Sequence, residues 1–230
     1  MSIQYKNIKP WGRSYKEYLQ MFNLTESELN LNILGCADGP ASFNSKMSKL
    51  GKNTISVDPI YRFSAIEIES KINESYEDIL TQTTNNKDKF IWTNINSPEE
   101  LGEIRMQSMK LFLADFESGK LEGRYINAEL PNLPFKDNEF DLILCSHFLF
   151  LYTDNLSLDF HVKSIKEMLR IAREIRIFPL LDCNAIKSRY VKELNEYFDD
   201  LIIEEIKTNY EFQKGGNEML KIKHIKNNQI

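Results

Sequence analysis

The sequence predicts an α/β fold in which helices cover both faces of a mostly parallel sheet. Short runs of β-branched residues alternate with amphipathic segments from about residue 31 onward, which is the pattern of such a fold. A glycine-bearing loop at 35–40 separates the first strand candidate from a helix. Later in the sequence, two strand candidates flank the short loop 213–217 and predict a closing antiparallel hairpin.

The individual elements follow from periodicity and from capping residues. Strands are expected at 31–34, 54–57, 124–127, 140–145, 174–178, 202–208 and 218–225. Helices are expected at 14–22, 41–50, 97–119, 157–172 and 185–198. Ser97 is a suitable N-cap, Pro98 suits the first helical turn, and Gly119 is expected to end that helix.

The length fits one domain, 1–230, because a single hydrophobic core can grow to about 250–300 residues. Residues 1–30 are predicted to form an N-terminal helical annex. The stretch between Asp58 and the third strand is longer than one crossover helix requires, so a helical insert is expected at 62–124. Within it, residues 82–89 are rich in Thr, Asn and Lys and are predicted to form a mobile loop.

The composition argues against several classes of function. The chain has 29 basic and 34 acidic residues, a net charge of −5, so no nucleic-acid partner is expected. No apolar run is long enough to span a bilayer and no secretory signal is present, so we expect a cytoplasmic protein without a membrane partner. Cys36, Cys145 and Cys183 contain no CxxC pair, and neither a disulfide framework nor a metal site is expected.

The first strand, the loop after it and the second strand predict a site for a ribose-bearing cofactor. A glycine loop between strand and helix presents backbone N–H groups at the carboxyl edge of the sheet. Asp58 ends the second strand, where a carboxylate can accept hydrogen bonds from both ribose hydroxyls. The loop lacks the GxGxxG spacing of dinucleotide sites, since Pro40, Ala41 and Ser42 follow Gly39, which argues against NAD.

The same loop resembles the D-x-G-x-G-x-G loop of the class I S-adenosylmethionine-dependent methyltransferases. Gly35 stands at the usual acidic position, Gly39 keeps the second glycine, and Ala37 and Ala41 replace the other two. A shifted register would make Gly35 the first glycine, and it leaves the role of Asp38 open.

Further segments are similar to the same family in the same order, so the resemblance covers about residues 31–225. They lie at 56–59, 133–141, 144–147 and 167–172. More narrowly, the chain resembles a bacterial subgroup of unassigned substrate with the segments GPASFN, SVDPIY and CSHFLFLY.

The resemblance implies a three-layer α/β/α Rossmann-like methyltransferase fold with a seven-stranded, mostly parallel sheet and an antiparallel last strand. It also implies S-adenosylmethionine as the cofactor. The cofactor-binding residues expected from it are Gly35, Cys36, Ala37, Asp38, Gly39, Asp58, Pro59, Ile60, Glu129, Leu130, Ser146 and His147. At the adenine end, Glu129 and Leu130 are favoured over Asn127.

The catalytic candidates implied by the resemblance lie after the fourth strand. Methyl transfer is an in-line displacement of an activated methyl group, so positioning and desolvation can supply most of the acceleration. His147 is the candidate base, since an ordinary histidine pKa near 6.5 suits proton abstraction at neutral pH. The alternative is a structural, hydrogen-bonded histidine. Tyr152 is expected either to line the acceptor pocket or to belong to the core.

Two further alternatives stay open at this point. The annex residues Trp11, Arg13, Tyr15 and Tyr18 either close over the cofactor or pack as a helix on the sheet edge. The favoured function is methyl transfer from S-adenosylmethionine to a small-molecule acceptor. The alternatives are a non-catalytic, S-adenosylmethionine-binding regulatory module and a nicotinamide-dependent oxidoreductase.

Overall fold

A computed structural model of the protein describes residue 3 and residues 9–225. Its sheet has seven strands in the order β3-β2-β1-β4-β5-β7-β6. The strands are β1 Ile33–Cys36, β2 Thr54–Val57, β3 Tyr125–Ile126, β4 Phe140–Ser146, β5 Ala172–Phe178, β6 Leu201–Lys207 and β7 Glu218–His224. The part of the predicted annex at residues 1, 2 and 4–8 lies outside the described residues.

The helices alternate with the strands as the sequence predicts. The α-helices of the described chain are α1 Tyr15–Met21, α2 Phe43–Lys49, α3 Ala65–Asn85, α4 Pro98–Leu121, α5 Leu158–Ile171 and α6 Tyr190–Tyr197. Short 3-10 turns occupy Glu28–Asn30, Pro59–Arg62 and Lys87–Lys89. In this part of the chain, no helix has the combination of length and hydropathy required to cross a membrane. That the chain forms one domain, 1–230, stays a prediction.

The strand directions confirm the predicted fold class. Strands β1 to β5 pair in parallel, whereas β7 pairs antiparallel with both β5 and β6. The observed architecture is therefore a three-layer α/β/α Rossmann-like fold with a seven-stranded, mostly parallel sheet and an antiparallel last strand.

Alternating side chains of β4 build a core on each face of the sheet. Leu142 and Leu144 belong to a cluster shared with helices α1 and α2. Ile143 and Cys145 belong to a second cluster shared with helices α5 and α6. This period-two alternation is what a strand buried on both faces requires.

The strand order reverses at β1, and this reversal positions the site. Strand β1 pairs with β2 on one side and with β4 on the other, and Cys36 is in register with both Val57 and Cys145. In open α/β sheets, ligands bind in the crevice at the carboxyl ends of strands where the order reverses. Residues after Cys36, Val57 and Ser146 therefore share one crevice.

The insert contains a helix that periodicity did not predict. The buried stripe of α3 contains Ile68, Ile72 and Ile79 but also Ser75 and Thr83, which interrupt the apolar pattern. Both hydroxyls donate to carbonyls of their own helix, which permits their burial. The predicted loop at 82–89 is wrong in placement, because α3 continues to residue 85 and a 3-10 turn follows.

Three predicted boundaries are also corrected. Strand β1 begins at Ile33 and includes Gly35 and Cys36, because their backbones pair with both neighbouring strands. Helix α4 continues past Gly119, which is buried and leaves room for the Tyr125 ring: a Cβ there would lie 2.5 Å from Tyr125 Cε2. Helix α6 begins later than residue 185 because Ala185 has a φ of 64°, outside the right-handed helical region.

Candidate functional site

A cavity of about 700 Å³ opens at the carboxyl ends of β1, β2 and β4. It is lined by the predicted residues Cys36, Ala37, Asp38, Gly39, Asp58, Pro59, Ile60, Glu129, Leu130, Ser146, His147 and Tyr152. Gly35 lies beneath this surface and does not line the cavity, and Asn127 also lies outside it. The structure thus brings the predicted residues together, while their roles stay predictions.

The Asp38 carboxylate is buried and folds back toward the strand that precedes it. Its two oxygens accept hydrogen bonds from the Tyr18 hydroxyl and from Ser56 Oγ, each at 2.6 Å. A Cβ on Gly35 would lie 1.8 Å from Asp38 Oδ2, so the carboxylate fills the space of a side chain at position 35.

Burial governs the protonation of Asp38. Desolvation raises the pKa of this carboxyl to about 6, against the opposing effect of the hydrogen bonds from Ser56 and Tyr18. The backbone of the loop is held in an uncommon conformation, since Ala37 has a φ of 57°. The Ala37 N–H donates to the Val57 carbonyl at 2.9 Å, which ties the loop to β2.

The Asp58 carboxylate is held between the glycine loop and the turn after β2. Oδ2 accepts from the Gly39 N–H at 2.9 Å, and Oδ1 accepts from the Ile60 N–H at 2.8 Å. Burial raises its pKa to about 6, the two backbone hydrogen bonds oppose that shift, and the nearby charge of Glu129 adds to it. Each oxygen keeps a second lone pair, so Asp58 can accept two further hydrogen bonds from a ligand.

His147 is partly buried at the end of β4 and has a φ of 53°. The backbone N–H of His147 donates to the Phe178 carbonyl at 2.6 Å. The imidazole ring lies edge-on to the Phe178 ring, with the ring centroids 5.4 Å apart. Burial, with the charges of Arg13 and Arg105, holds the pKa of His147 well below its ordinary value. The imidazole is therefore neutral at physiological pH, and the value near 6.5 expected from the sequence is corrected downward.

The tautomer of His147 decides whether its Nε2 atom accepts or donates a hydrogen bond. Nδ1 lies 2.9 Å from Ser146 Oγ. If Nδ1 carries the proton and donates to Ser146, Nε2 is free to accept one; in the other tautomer Ser146 donates and Nε2 is a donor. The pair can thus work as a base only with the proton on Nδ1.

The annex lies directly against the glycine loop. A Cβ on Gly12 would lie 2.0 Å from the Pro40 carbonyl oxygen, so only glycine permits this approach. The Ser42 N–H donates to the Arg13 carbonyl at 3.0 Å, and the Lys9 N–H donates to the buried Tyr152 hydroxyl at 3.1 Å. The first described segment of the chain therefore forms a wall of the cavity.

The four aromatic and basic annex residues named from the sequence divide between two roles. Trp11, Arg13 and Tyr18 line the cavity. Tyr15 instead stacks on Phe43 of α2, with ring centroids 5.7 Å apart, and belongs to the packing of the annex on the sheet.

Sequence reasoning missed a buried ionic cluster beside His147. Arg105 of α4 is fully buried, pairs with Glu17 of α1, and donates to the Tyr210 hydroxyl at 3.3 Å. The signal was present: Arg105 lies four residues after Leu101 and four before Met109, on the apolar face of α4. A charged residue on such a face requires a buried partner or a ligand.

Among residue 3 and residues 9–225, no group of three or more His, Cys, Asp or Glu side chains could hold a metal ion. The cavity is lined instead by charged groups of both signs. The carboxylates are Asp38 and Asp58, at the ends of β1 and β2, and Glu129. The basic side chains are Lys9, Arg13, Arg62, Lys71 and Arg105.

One sequence relative is similar over nearly the whole chain. The uncharacterized protein MJ0045 of Methanocaldococcus jannaschii is 38% identical over 226 residues, which cover 96% of this chain and 100% of the relative. The chain belongs to the family of MJ0045. This family includes an archaeal protein, so the predicted bacterial subgroup is not confirmed. No family model matches the sequence.

Solved structures with a similar arrangement have much lower identity. The PH0226 protein of Pyrococcus horikoshii OT3 is 12% identical with a TM-score of 0.48, over 92% of this chain and 91% of that one. The mmp1179 protein of Methanococcus maripaludis is also 12% identical, with a TM-score of 0.47 over 94% and 85%. The magnesium protoporphyrin IX methyltransferase ChlM of Synechocystis PCC 6803 is 11% identical, with a TM-score of 0.42 over 85% and 71%.

Proposed function

We propose that this protein transfers a methyl group from S-adenosylmethionine to a small-molecule acceptor. The observation that carries the proposal is Asp58, whose carboxylate is fixed by the N–H groups of Gly39 and Ile60 at the reversal point of a methyltransferase-type sheet. That position suits the two hydroxyls of a ribose.

The described residues fit this cofactor in size and in charge. A cavity of about 700 Å³ falls within the roughly 300–1,000 Å³ typical of small-molecule sites. Asp38 and Asp58 give its β1–β2 half the negative charge that suits a sulfonium cation. We assign the adenine end to Ile60, Glu129 and Leu130, and the rest of the cofactor to the loop 35–39, Pro59, Ser146 and His147.

When bound, S-adenosylmethionine supplies a methyl group that is activated by its positive sulfur. The protein's own contribution is to orient the acceptor and to exclude water from the cavity. With its proton on Nδ1, His147 can accept the proton of a hydroxyl or an amine at Nε2. The Tyr152 hydroxyl, which accepts from the Lys9 N–H, keeps its own proton to donate to the acceptor.

The annex supports a small acceptor over a macromolecular one. Gly12 contacts the glycine loop and Lys9 binds Tyr152, so backbone of the annex closes one side of the cavity. A protein or nucleic-acid chain would need this side to be open along a groove. A small molecule needs only an entrance.

Calorimetric titration with S-adenosylmethionine and S-adenosylhomocysteine tests the proposal. Both should bind, and Asp58→Ala should weaken binding by about tenfold or more, because two buried ribose hydroxyls lose their acceptor. Asp159→Ala is the matched control, since that carboxylate is 70% exposed on α5. Absence of binding at millimolar cofactor would refute the proposal, and binding of NADH instead would favour an oxidoreductase.

One observation favours the non-catalytic alternative. The depressed pKa of His147 makes its imidazole a weak proton acceptor. A regulatory module would bind S-adenosylmethionine tightly and yet form no S-adenosylhomocysteine with any member of an acceptor library. Formation of that product with one acceptor would decide in favour of the enzyme.

A further inference from the structure

Two arginine side chains of the cavity, Arg13 and Arg105, have one ion-pair carboxylate between them. Among the described residues, Arg105 has one salt-bridge carboxylate, Glu17, and Arg13 has none. Both guanidinium groups line the cavity, and each lowers the pKa of His147 by its charge. The Glu17 carboxylate is therefore shared by the Arg13 and Arg105 guanidinium groups, both of which are largely desolvated.

Both arginines also have a hydrogen-bond donor without a partner. Nε of Arg13 and Nε of Arg105 are buried and make no hydrogen bond within the described chain. The Arg13 Nη1 donates to the Trp11 carbonyl at 2.6 Å, which leaves the edge formed by Nε and Nη2 for another acceptor. This edge matches the two oxygens of a carboxylate.

Arg105 lies beside an aromatic wall of the cavity, whereas the backbone of Arg13 lies against the glycine loop, since its carbonyl accepts from the Ser42 N–H at 3.0 Å. Arg105 Nη2 donates to the Tyr210 hydroxyl at 3.3 Å, and the Tyr210 ring meets the Phe178 ring at 5.7 Å. Phe178 in turn contacts His147. Arg105 is thus continuous with an aromatic wall at the end of β5, and the charges of both arginines act on His147 at the end of β4.

We propose that the methyl acceptor is a small molecule with an apolar body and a carboxylate, and that this carboxylate binds the Nε edge of Arg13 beside Arg105. Such an anion neutralises the Arg13 guanidinium and accepts a hydrogen bond from its unpaired Nε–H. Both changes favour binding in a buried site. The buried Glu17–Arg105 pair acts as a positioning element. This inference rests on the proposed function, because it concerns the acceptor of that reaction.

The test titrates benzoate, and benzamide as its neutral analogue, into the full chain saturated with S-adenosylhomocysteine. The wild type should bind benzoate about tenfold or more tightly than benzamide, as expected for a charge-assisted pair. Arg13→Gln should abolish this preference. Arg13→Lys keeps the charge but loses the paired Nε and Nη2 donors, so it should retain part of the preference. Arg173→Gln is the control, because that side chain is 74% exposed and lies outside the cavity.

Two results would overturn the inference. The first is equal affinity of the wild type for benzoate and benzamide, or a preference that survives in Arg13→Gln. The second concerns the cofactor's own carboxylate, which methylthioadenosine lacks. If Arg13→Gln weakens S-adenosylhomocysteine about tenfold and leaves methylthioadenosine unchanged, Arg13 serves the cofactor and not the acceptor.

Failure of the proposed function is distinguishable from failure of this inference. If the wild type binds no S-adenosylhomocysteine, the proposed function is refuted, and benzoate against benzamide is then compared in the protein without it. A preference that depends on Arg13 would still identify the anion site. If Arg13→Gln does not fold, Arg13→Lys decides: an unchanged benzoate preference in that variant contradicts the bidentate contact.

Discussion

Substituting Gly35 by alanine tests whether Asp38 occupies the space that a side chain at position 35 would need. The added Cβ would lie 1.8 Å from Asp38 Oδ2 and 2.4 Å from its Cγ, so the carboxylate must leave. It would then lose hydrogen bonds from Tyr18 and Ser56. Two such bonds to a carboxylate contribute about 3–6 kcal/mol, and regained hydration offsets part of that, so we expect a loss of about 3 kcal/mol.

Urea unfolding at pH 7 measures this loss, and a double-mutant cycle assigns its cause. In the Asp38→Ala background the three nearest atoms to the new Cβ are gone, so Gly35→Ala should cost less than about 1 kcal/mol. A cost below about 1 kcal/mol in the wild type, or the same cost in both backgrounds, would refute the reasoning. Calorimetry on the single variant should also show weaker binding of S-adenosylmethionine.

Three further predictions concern pH, a buried ion pair and a helix cap. The raised pKa of Asp58, about 6, means that the contribution of this carboxyl to stability falls as pH rises from about 4 through 6; relative to the wild type, Asp58→Asn should remove roughly 2 kcal/mol of that fall in urea titrations. Arg105→Met should destabilise by about 3–5 kcal/mol because Glu17 keeps a buried charge, and Glu17→Gln in the same chain should recover part of that in thermal unfolding. Ser97→Ala should cost about 1 kcal/mol through loss of the bond from the Glu100 N–H, and an unchanged melting temperature would contradict it.

The local signals in the sequence predicted much of the fold. Strand β2 lies at the predicted residues, Ser97 caps α4, and the antiparallel closing pair forms as expected. Each of these depends on interactions between neighbours in sequence or between adjacent strands. Helix α3 was missed because two hydroxyl side chains replace apolar residues on its buried face, and their partners are carbonyls that no hydropathy pattern shows.

The parts of the candidate site at the ends of strands could be predicted from the sequence. The contacts between residues far apart in sequence could not. The carboxyl ends of β1, β2 and β4 could be located from strand endings alone, and the residues there do line one cavity. The pairing of Arg105 with Glu17 joins positions 88 residues apart, and Asp38 takes the place of a side chain at Gly35 by folding back. Long-range pairing and backbone reversal leave no periodic signal in a sequence.

The hydrogen bond from Tyr210 to Glu17, at 2.9 Å, joins positions 193 residues apart at one wall of the cavity. During synthesis, the annex emerges from the ribosome long before its partner residue exists. The part of the cavity wall that contains Tyr210 is therefore completed only after β6 has been made. A ligand that fits this cavity would accordingly stabilise finished molecules and leave partial ones unaffected.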